Sequence, residues 1–193
     1  MKINKLLGII LTLIGILIII IKSLIITVDL HTREEKVVSY LENTSSILAD
    51  ITRENDEDDY IAILEIPKIN LKRGLLDINN EYNDVSYNVA IMETSLMPDI
   101  KNSNLILAAH NGNSPVSFFK DLESIGEKDI IYIYYNGYKY IYQIDNFYVV
   151  DKTGKVNIHR DKTKNTITLI TCKNNTEDKQ IVYIGYLINK EIY

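Results

Sequence analysis

The chain has 193 residues, 46% of them hydrophobic, and a formal net charge of −5 at neutral pH. Setting aside Lys2, Lys5 and Lys22 leaves 18 basic residues against 26 acidic ones, a net charge of −8. That surplus of negative charge argues against nucleic acid as a partner, because phosphates are repelled. Cys172 is the only cysteine, which excludes a disulfide within the chain.

The N-terminal segment is apolar enough to cross a membrane. Residues 6–28 carry one charge, Lys22, whose long side chain can reach a headgroup. Lys2 and Lys5 precede this segment and favour an inside N-terminus. We therefore predict a cytoplasmic tail at 1–5 and a single-pass anchor at 6–28, with the rest of the chain outside the cell. A cleaved signal peptide is the alternative, but no small-x-small site follows the apolar run.

Residues 29–59 are predicted to form a helical stalk and an acidic linker. Apolar residues recur there at roughly helical spacing, at Val37, Val38, Leu41, Ile47, Leu48 and Ile51. Residues 54–59 read Glu-Asn-Asp-Glu-Asp-Asp, and such a run repels itself and stays solvated. A calcium site is the alternative, but the run lacks the glycine and the spacing of an EF-hand loop.

From Tyr60 onwards the pattern changes to short strands separated by turn residues. We predict strands at 60–66, 69–76, 104–109, 130–135, 138–150, 166–172 and 180–188. Gly74 indicates a bulge or bend, and Asn136-Gly137 indicates a hairpin. Residues 83–98 are irregular. Several short strands at close spacing favour an all-β closed barrel or sandwich over residues 60–193.

One or two short helices are predicted among these strands, one of them after His110 and the other a helical turn within residues 83–98. Pro115 suits a first helical turn and Ser114 its cap. Phe118, Phe119 and Leu122 would then form the buried face of the helix.

Two groups with complementary chemistry end two of the predicted strands. Cys172 is the last residue of the strand at 166–172, and His110 directly follows the strand at 104–109. A cysteine attacks as thiolate, and a histidine within hydrogen-bond reach can take its proton. These positions predict a nucleophile and base pair. The alternative is a buried cysteine that only fills space beside a structural histidine.

Four short motifs resemble those of the sortases and occur in the same order. Residues 168–172, Thr-Leu-Ile-Thr-Cys, resemble the family's Thr-Leu-x-Thr-Cys motif. Residues 64–69 look like its opening-strand Ile-Pro-x-Ile pattern. Residues 118–122 followed by 126–129 are similar to its segment after the histidine. The resemblance covers residues 60–188.

The resemblance implies a fold and an activity. Sortases are cysteine transpeptidases, mainly of Gram-positive bacteria, built on an eight-stranded β-barrel with few helices. They cut a sorting signal, typically Leu-Pro-x-Thr-Gly-like, near the C-terminus of an exported protein. The acyl group then passes to an amine on a cell-wall precursor or a pilin subunit. Carried over, Cys172 is the nucleophile and His110 the general acid and base. No cofactor or metal is implied, and calcium activation has no support in the sequence.

The chain departs from the family at one catalytic position. Sortases have an arginine at the start of the strand after the cysteine, placed to stabilise the oxyanion or hold the substrate. The four arginines here are Arg33, Arg53, Arg73 and Arg160, all before Cys172. Gln180 aligns with the family arginine, or Lys179 with a one-residue slip. Each offers an N–H donor, but neither offers the rigid guanidinium fork. Thr171 and Asn111 are predicted substrate contacts.

Two other functions compete with transpeptidation. The absent arginine suggests a degenerate, non-catalytic sortase-like protein that binds partners at the cell surface. A papain-like hydrolase is disfavoured because such enzymes place the cysteine before the histidine in the chain. Within the sortases, the loop at 151–165 is too short for the extra helix of class B, and no Asp-Pro-aromatic lid of class C is visible. The chain therefore resembles classes A, D and E.

Overall fold

The N-terminal part of the computed structural model is a single helix. The structure describes residues 2–44 and 60–193, and the helix, α1, runs Lys2–Thr44. The chain divides into two compact units, Met1–Glu35 and Lys36–Tyr193. Within the first unit, Ile10–Val28 is long and apolar enough to cross a membrane, with a mean hydropathy of 2.7. The predicted apolar helix is thus confirmed. The acidic run at 54–59 lies outside the described residues.

Residues 60–193 form an eight-stranded, nearly closed barrel, as predicted. Its strands are β1 (Ala62–Ile66), β2 (Leu71–Leu75), β3 (Ala90–Ile91), β4 (Asn104–Ala108), β5 (Ile130–Tyr135), β6 (Tyr138–Asp151), β7 (Thr166–Cys172) and β8 (Lys179–Ile192). Their order in the sheet is β2-β1-β5-β6-β8-β7-β4-β3. The two edge strands of the sheet are β2 and β3. A side chain connects them, since Asn88 Nδ2, just before β3, donates to the Gly74 carbonyl of β2 at 2.8 Å.

One strand pair decides the layout of the site. Every neighbouring pair is antiparallel except β4 and β7, which run in the same direction. Both of these strands are covered on two faces. Leu107 and Leu169 point into the barrel core, whereas Ile106 and Ile170 lie in an outer cluster beneath the segment at 152–165. Burial on both faces explains why the two strands are continuously apolar.

The helix predicted after His110 is not formed. The segment there consists of turns followed by a short 3₁₀ helix, Leu122–Ser124. The Phe119 N–H donates to the His110 carbonyl at 3.0 Å, which removes it from the i to i−4 ladder that an α-helix requires. Phe119 and Leu122 are nevertheless fully buried, as predicted.

Gly74 does not mark a bulge. The pairing of β1 with β2 is regular through Ile63 and Gly74. The ring of Tyr60 lies on this glycine, and a Cβ at position 74 would stand 2.1 Å from Tyr60 Cδ2. Position 74 therefore requires glycine because an aromatic ring packs against it, and not because its backbone φ is positive. The turn Asn136-Gly137 does have positive φ at both residues, 49° and 74°, as the predicted hairpin needs.

Candidate active site

The parallel pairing of β4 and β7 brings His110 and Cys172 to neighbouring positions. The register runs from Asn104 opposite Thr166 to Ala108 opposite Ile170. The ladder ends there, and the same offset of 62 residues would set His110 opposite Cys172 if it continued for two more residues. Adjacent strands lie about 4.8 Å apart, and opposed residues of a parallel pair point to the same face. The pairing therefore brings the residues that carry the imidazole and the thiol to the carboxyl ends of two adjacent strands.

The pairing of β7 with β8 sets Gln180 beside the cysteine. Cys172 is opposite Gln180, and the next residue, Lys173, donates its N–H to the Lys179 carbonyl at 3.0 Å. Hydrogen-bonded and non-hydrogen-bonded pairs alternate in an antiparallel ladder, so Cys172 and Gln180 form a non-hydrogen-bonded pair. Opposing side chains approach most closely in such pairs. Of the two residues aligned with the family arginine, Gln180 is the one that faces the sulfur.

Lys179 is engaged elsewhere. Its ammonium donates to Asp151 Oδ1 at 2.5 Å and lies 3.7 Å from Asp178 Oδ2. The hydrogen bond and the charge of Asp151 raise the pKa of Lys179 above its usual range. Alternation along β8 turns Lys179 away from the face that carries Cys172 and Gln180.

Two of the four arginines can be located relative to Cys172. Arg160 donates to Asn102 O and to Thr166 Oγ1, both at 3.3 Å, at the start of β7. That end of the strand is about 20 Å from Cys172 at the usual rise per residue. Arg73 is buried on β2 with its guanidinium 4.2 Å from the ring centre of Phe118. Arg53 lies outside the described residues, and Arg33 belongs to the Met1–Glu35 unit.

The predicted substrate contacts Thr171 and Asn111 link the two strand ends. The Thr171 hydroxyl is buried and donates to Ala109 O at 2.8 Å. The Asn111 side-chain amide donates to Cys172 O at 2.9 Å and to Asn174 Oδ1 at 2.8 Å. Contact of either residue with a substrate stays a prediction.

Glu123 also lies in this region, and no sequence pattern predicted a role for it. It lies in the 3₁₀ helix Leu122–Ser124 and accepts a hydrogen bond from the Asn174 backbone N–H. Its other oxygen is 3.1 Å from Lys173 Nζ. Burial and then the charge of Glu123 raise the pKa of Tyr183 to about 12. A lone glutamate in a polar stretch has no motif that could have revealed these contacts.

Asp84 is a second such residue. It precedes β3, and its carboxylate accepts the Ser86 N–H at 2.7 Å. That hydrogen bond is the main reason why the pKa of Asp84 is lowered, with a smaller contribution from the charge of His110. A protonated His110 thus attracts the Asp84 carboxylate. The Asp-x-Ser spacing of an Asx turn is the only local signal for it in the sequence.

A groove lies along the segment that follows His110. Its volume is about 570 Å³, within the range of peptide and small-molecule sites. One wall is Ile69, Asn70 and Leu71, where β1 turns into β2. The other wall comes from residues 113–121 and is mostly polar, with Pro115 and Phe118 as its apolar members.

Comparisons with known proteins agree with this architecture. The sortase domain family model matches residues 64–187. Sortase A of Bacillus anthracis is 31% identical over 136 residues, covering 69% of this chain. The chain spans 62% of that relative's length.

Solved structures show the same fold. Sortase A of Listeria monocytogenes aligns with a TM-score of 0.59 at 22% identity, over 72% of this chain and 92% of that one. The sortase D5 transpeptidase of Clostridium perfringens gives 0.59 at 21% identity, over 82% and 95%. Sortase C-3 of Streptococcus pneumoniae gives 0.62 at 18% identity, over 83% of both chains. With the family model matched over most of the barrel, the chain belongs to the sortase family.

Proposed function

We propose that this protein is a membrane-anchored cysteine transpeptidase that cleaves the sorting signal of exported proteins. The observation that carries the proposal is the register of β4 with β7 and of β7 with β8, which pairs Cys172 with Gln180 and ends two residues before His110. The substrate is a C-terminal sorting signal of the Leu-Pro-x-Thr-Gly kind. The acceptor is an amine of a cell-wall precursor or pilin subunit.

The first half of the reaction forms a thioester on Cys172. His110 takes the thiol proton, and the thiolate attacks the carbonyl carbon of the scissile peptide bond. The carbon–nitrogen bond breaks, and His110 returns the proton to the departing amine. The acyl group is then held as a thioester and the C-terminal fragment leaves.

The second half transfers the acyl group. The acceptor amine attacks the thioester carbon and loses a proton to His110, while the carbon–sulfur bond breaks. The departing thiolate takes up that proton, so the enzyme returns to its starting state. In both halves the oxyanion needs N–H donors, and the Gln180 amide supplies one beside the sulfur. The groove lined by residues 69–71 and 113–121, in the segment that follows His110 in the chain, is a candidate surface for an extended peptide.

The apolar helix supports a location at the cell membrane. Ile10–Val28 would cross once, with residues 1–5 inside and the barrel outside. A catalytic barrel on the outer side meets both exported proteins and cell-wall amines.

The test uses the full chain in detergent with a panel of sorting-signal pentapeptides and an amine acceptor. We expect a transfer product and, by mass spectrometry, a thioester on Cys172. Cys172→Ala should abolish both, and His110→Ala should lower kcat at least about 100-fold because the base is lost. Transfer that survives Cys172→Ala would falsify the proposal.

A second candidate is a non-catalytic, sortase-like binding protein. The observation that favours it is the neutral Gln180 at the position of the family arginine. It predicts that sorting peptides bind in a calorimeter but that no acyl-enzyme forms with any of them. Trapping a Cys172 thioester excludes this candidate.

A further inference from the structure

The two strand ends that carry His110 and Cys172 extend beyond the sheet that aligns them. The β4 strand ends at Ala108, two residues before the imidazole. The last backbone bond between the two strands is from Ala109 N–H to Ile170 O, at 3.3 Å. No regular ladder bond therefore fixes residue 110 against residue 172. Some other contact has to set the distance between the two reacting side chains.

Asn111 supplies such a contact on the histidine side. Its side-chain amide has two hydrogens, and both are used within the protein, on Cys172 O and on Asn174 Oδ1. The bond to Cys172 O joins the residue after the imidazole to the residue that bears the thiol. It continues the inter-strand connection where the ladder has stopped.

Glu123 supplies a second contact, on the cysteine side. It holds the two residues after Cys172, through the Asn174 backbone N–H and the Lys173 ammonium. Its side chain is only 22% exposed, so this ion pair is less screened by water than a surface pair. The segment 172–174 is thus held from two sides, by Asn111 and by Glu123.

We propose that Asn111 and Glu123 are positioning residues that together align the Cys172 thiol with the His110 imidazole. This inference rests on the proposed function, since alignment matters only if the pair reacts. The two residues contact no reacting atom. They act by fixing the backbone of residues 172–174, and a displacement of about 1 Å between reacting groups can cost on the order of 100-fold in rate.

The test measures kcat and KM together with backbone hydrogen exchange, in the full chain in detergent. Asn111→Asp keeps the size of the side chain but removes both donors, and Glu123→Ala removes both acceptors. Each should lower kcat about 10- to 100-fold while KM for the sorting peptide stays within about twofold. Each should also speed exchange at the Asn174 amide by about tenfold or more, because the segment is released.

Matched controls come from exposed positions without a contact to the strand ends. Asn146→Asp and Glu177→Ala make the same chemical changes on β6 and in the loop after Cys172. We expect both controls to match the wild type in kcat and in exchange at Asn174.

Each other outcome decides the question. A kcat within twofold of the controls overturns the proposal, and so does a raised KM with unchanged kcat, which would indicate direct substrate contact. Lost activity with unchanged exchange overturns it as well. If the wild type transfers nothing to any acceptor, the proposed function fails. Hydrogen exchange then tests by itself whether Asn111 and Glu123 hold residues 172–174. Faster exchange at the Asn174 amide in Asn111→Asp supports this, and unchanged exchange overturns it.

Discussion

At the scale of single residues, the proposed mechanism depends most on Gln180, which stands where sortases have an arginine. Gln180 is opposite Cys172 in a non-hydrogen-bonded pair. In the proposed mechanism its amide donates to the oxyanion that forms when the thiolate attacks the substrate carbonyl. A neutral amide offers two donors without a charge, whereas a guanidinium offers five donors and a full charge. Oxyanion stabilisation depends on donors that are already in place before reaction. The site therefore keeps a donor but loses the charge.

The two residues that align with the family arginine should differ in effect. Gln180→Ala is expected to lower kcat about 10- to 100-fold, since one oxyanion donor is lost. Lys179→Ala serves as the matched control and should change kcat by less than about threefold, because Lys179 contacts Asp151 and Asp178. Gln180→Arg should raise kcat severalfold by adding the charge. Steady-state transfer kinetics measure all three.

Equal losses in Gln180→Ala and Lys179→Ala would contradict this assignment. The oxyanion would then be stabilised by backbone N–H groups alone.

At the scale of elements, two of the sortase-like motifs contact each other. Lys68 lies in the 3₁₀ helix Pro67–Ile69 that follows β1, and its ammonium is 2.7 Å from Asp129 Oδ2, just before β5. The same oxygen accepts the Gly126 N–H at 2.7 Å. These contacts tie the turn after β1 to the segment that enters β5. The motifs that resemble those of the family thus include a structural contact that involves neither His110 nor Cys172.

Asp129 should make stability depend on acid pH. Burial raises the pKa of Asp129, but the hydrogen bonds from Lys68 and Gly126 and the charge of Lys68 outweigh it and lower the pKa. A carboxyl with a lowered folded pKa stabilises the fold above its unfolded value, and this stabilisation is lost as the pH falls through the folded value. Asp129→Asn is thus expected to cost about 1 kcal/mol at pH 7 and almost nothing below about pH 3. Urea unfolding across pH measures the difference.

Asp145→Asn is the control for this experiment, because Asp145 is exposed on β6. It should leave the free energy of unfolding unchanged at every pH. A constant difference between the wild type and Asp129→Asn from pH 3 to pH 7 would rule out the ion pair as its source.

At the scale of the whole molecule, the end of α1 belongs to the barrel unit. Val37 is buried against Tyr60, Ile63 and Leu76, and the Tyr40 hydroxyl donates to Ile61 O at 3.1 Å. Burial, with the neighbouring Tyr193, raises the pKa of Tyr40 well above its usual range. The barrel unit accordingly begins at Lys36, eight residues after the apolar span ends at Val28.

A chain that starts at Lys36 should be soluble and folded, whereas the full chain should sediment with membranes. Within that shorter chain, Val37→Ala is expected to lower the free energy of unfolding by about 1–2 kcal/mol, because a buried side chain is truncated. Val38→Ala is the matched control on the same helix, and it should cost less than about 0.5 kcal/mol because Val38 is 54% exposed. Urea unfolding of the three soluble chains measures the costs.

Equal costs for Val37→Ala and Val38→Ala would show that this turn of the helix does not dock on the barrel. A full chain that stays in the soluble fraction would contradict the membrane anchor.

Local patterns were sufficient where local geometry decides the structure. The Asn136-Gly137 hairpin and the apolar run Ile10–Val28 follow from backbone and solvation preferences of a few neighbouring residues. The helix predicted after His110 is wrong because the Phe119 N–H donates to the His110 carbonyl, nine positions earlier in the chain. The bulge predicted at Gly74 is wrong for a similar reason, because the glycine makes room for the ring of Tyr60, 14 positions earlier in the chain.

The sequence by itself determined the class of fold, the membrane-spanning candidate and the identity of the thiol and imidazole, because composition and strand-end motifs record them directly. Only the tertiary structure decided that Gln180, and not Lys179, lies opposite Cys172, and which side chains bridge the ends of the two strands. Those answers depend on the parallel register of β4 with β7, on the alternation along β8, and on the contacts of Asn111 and Glu123. Such contacts join residues about 50 to 60 positions apart. No local pattern records them, because their partners meet only once the barrel has formed.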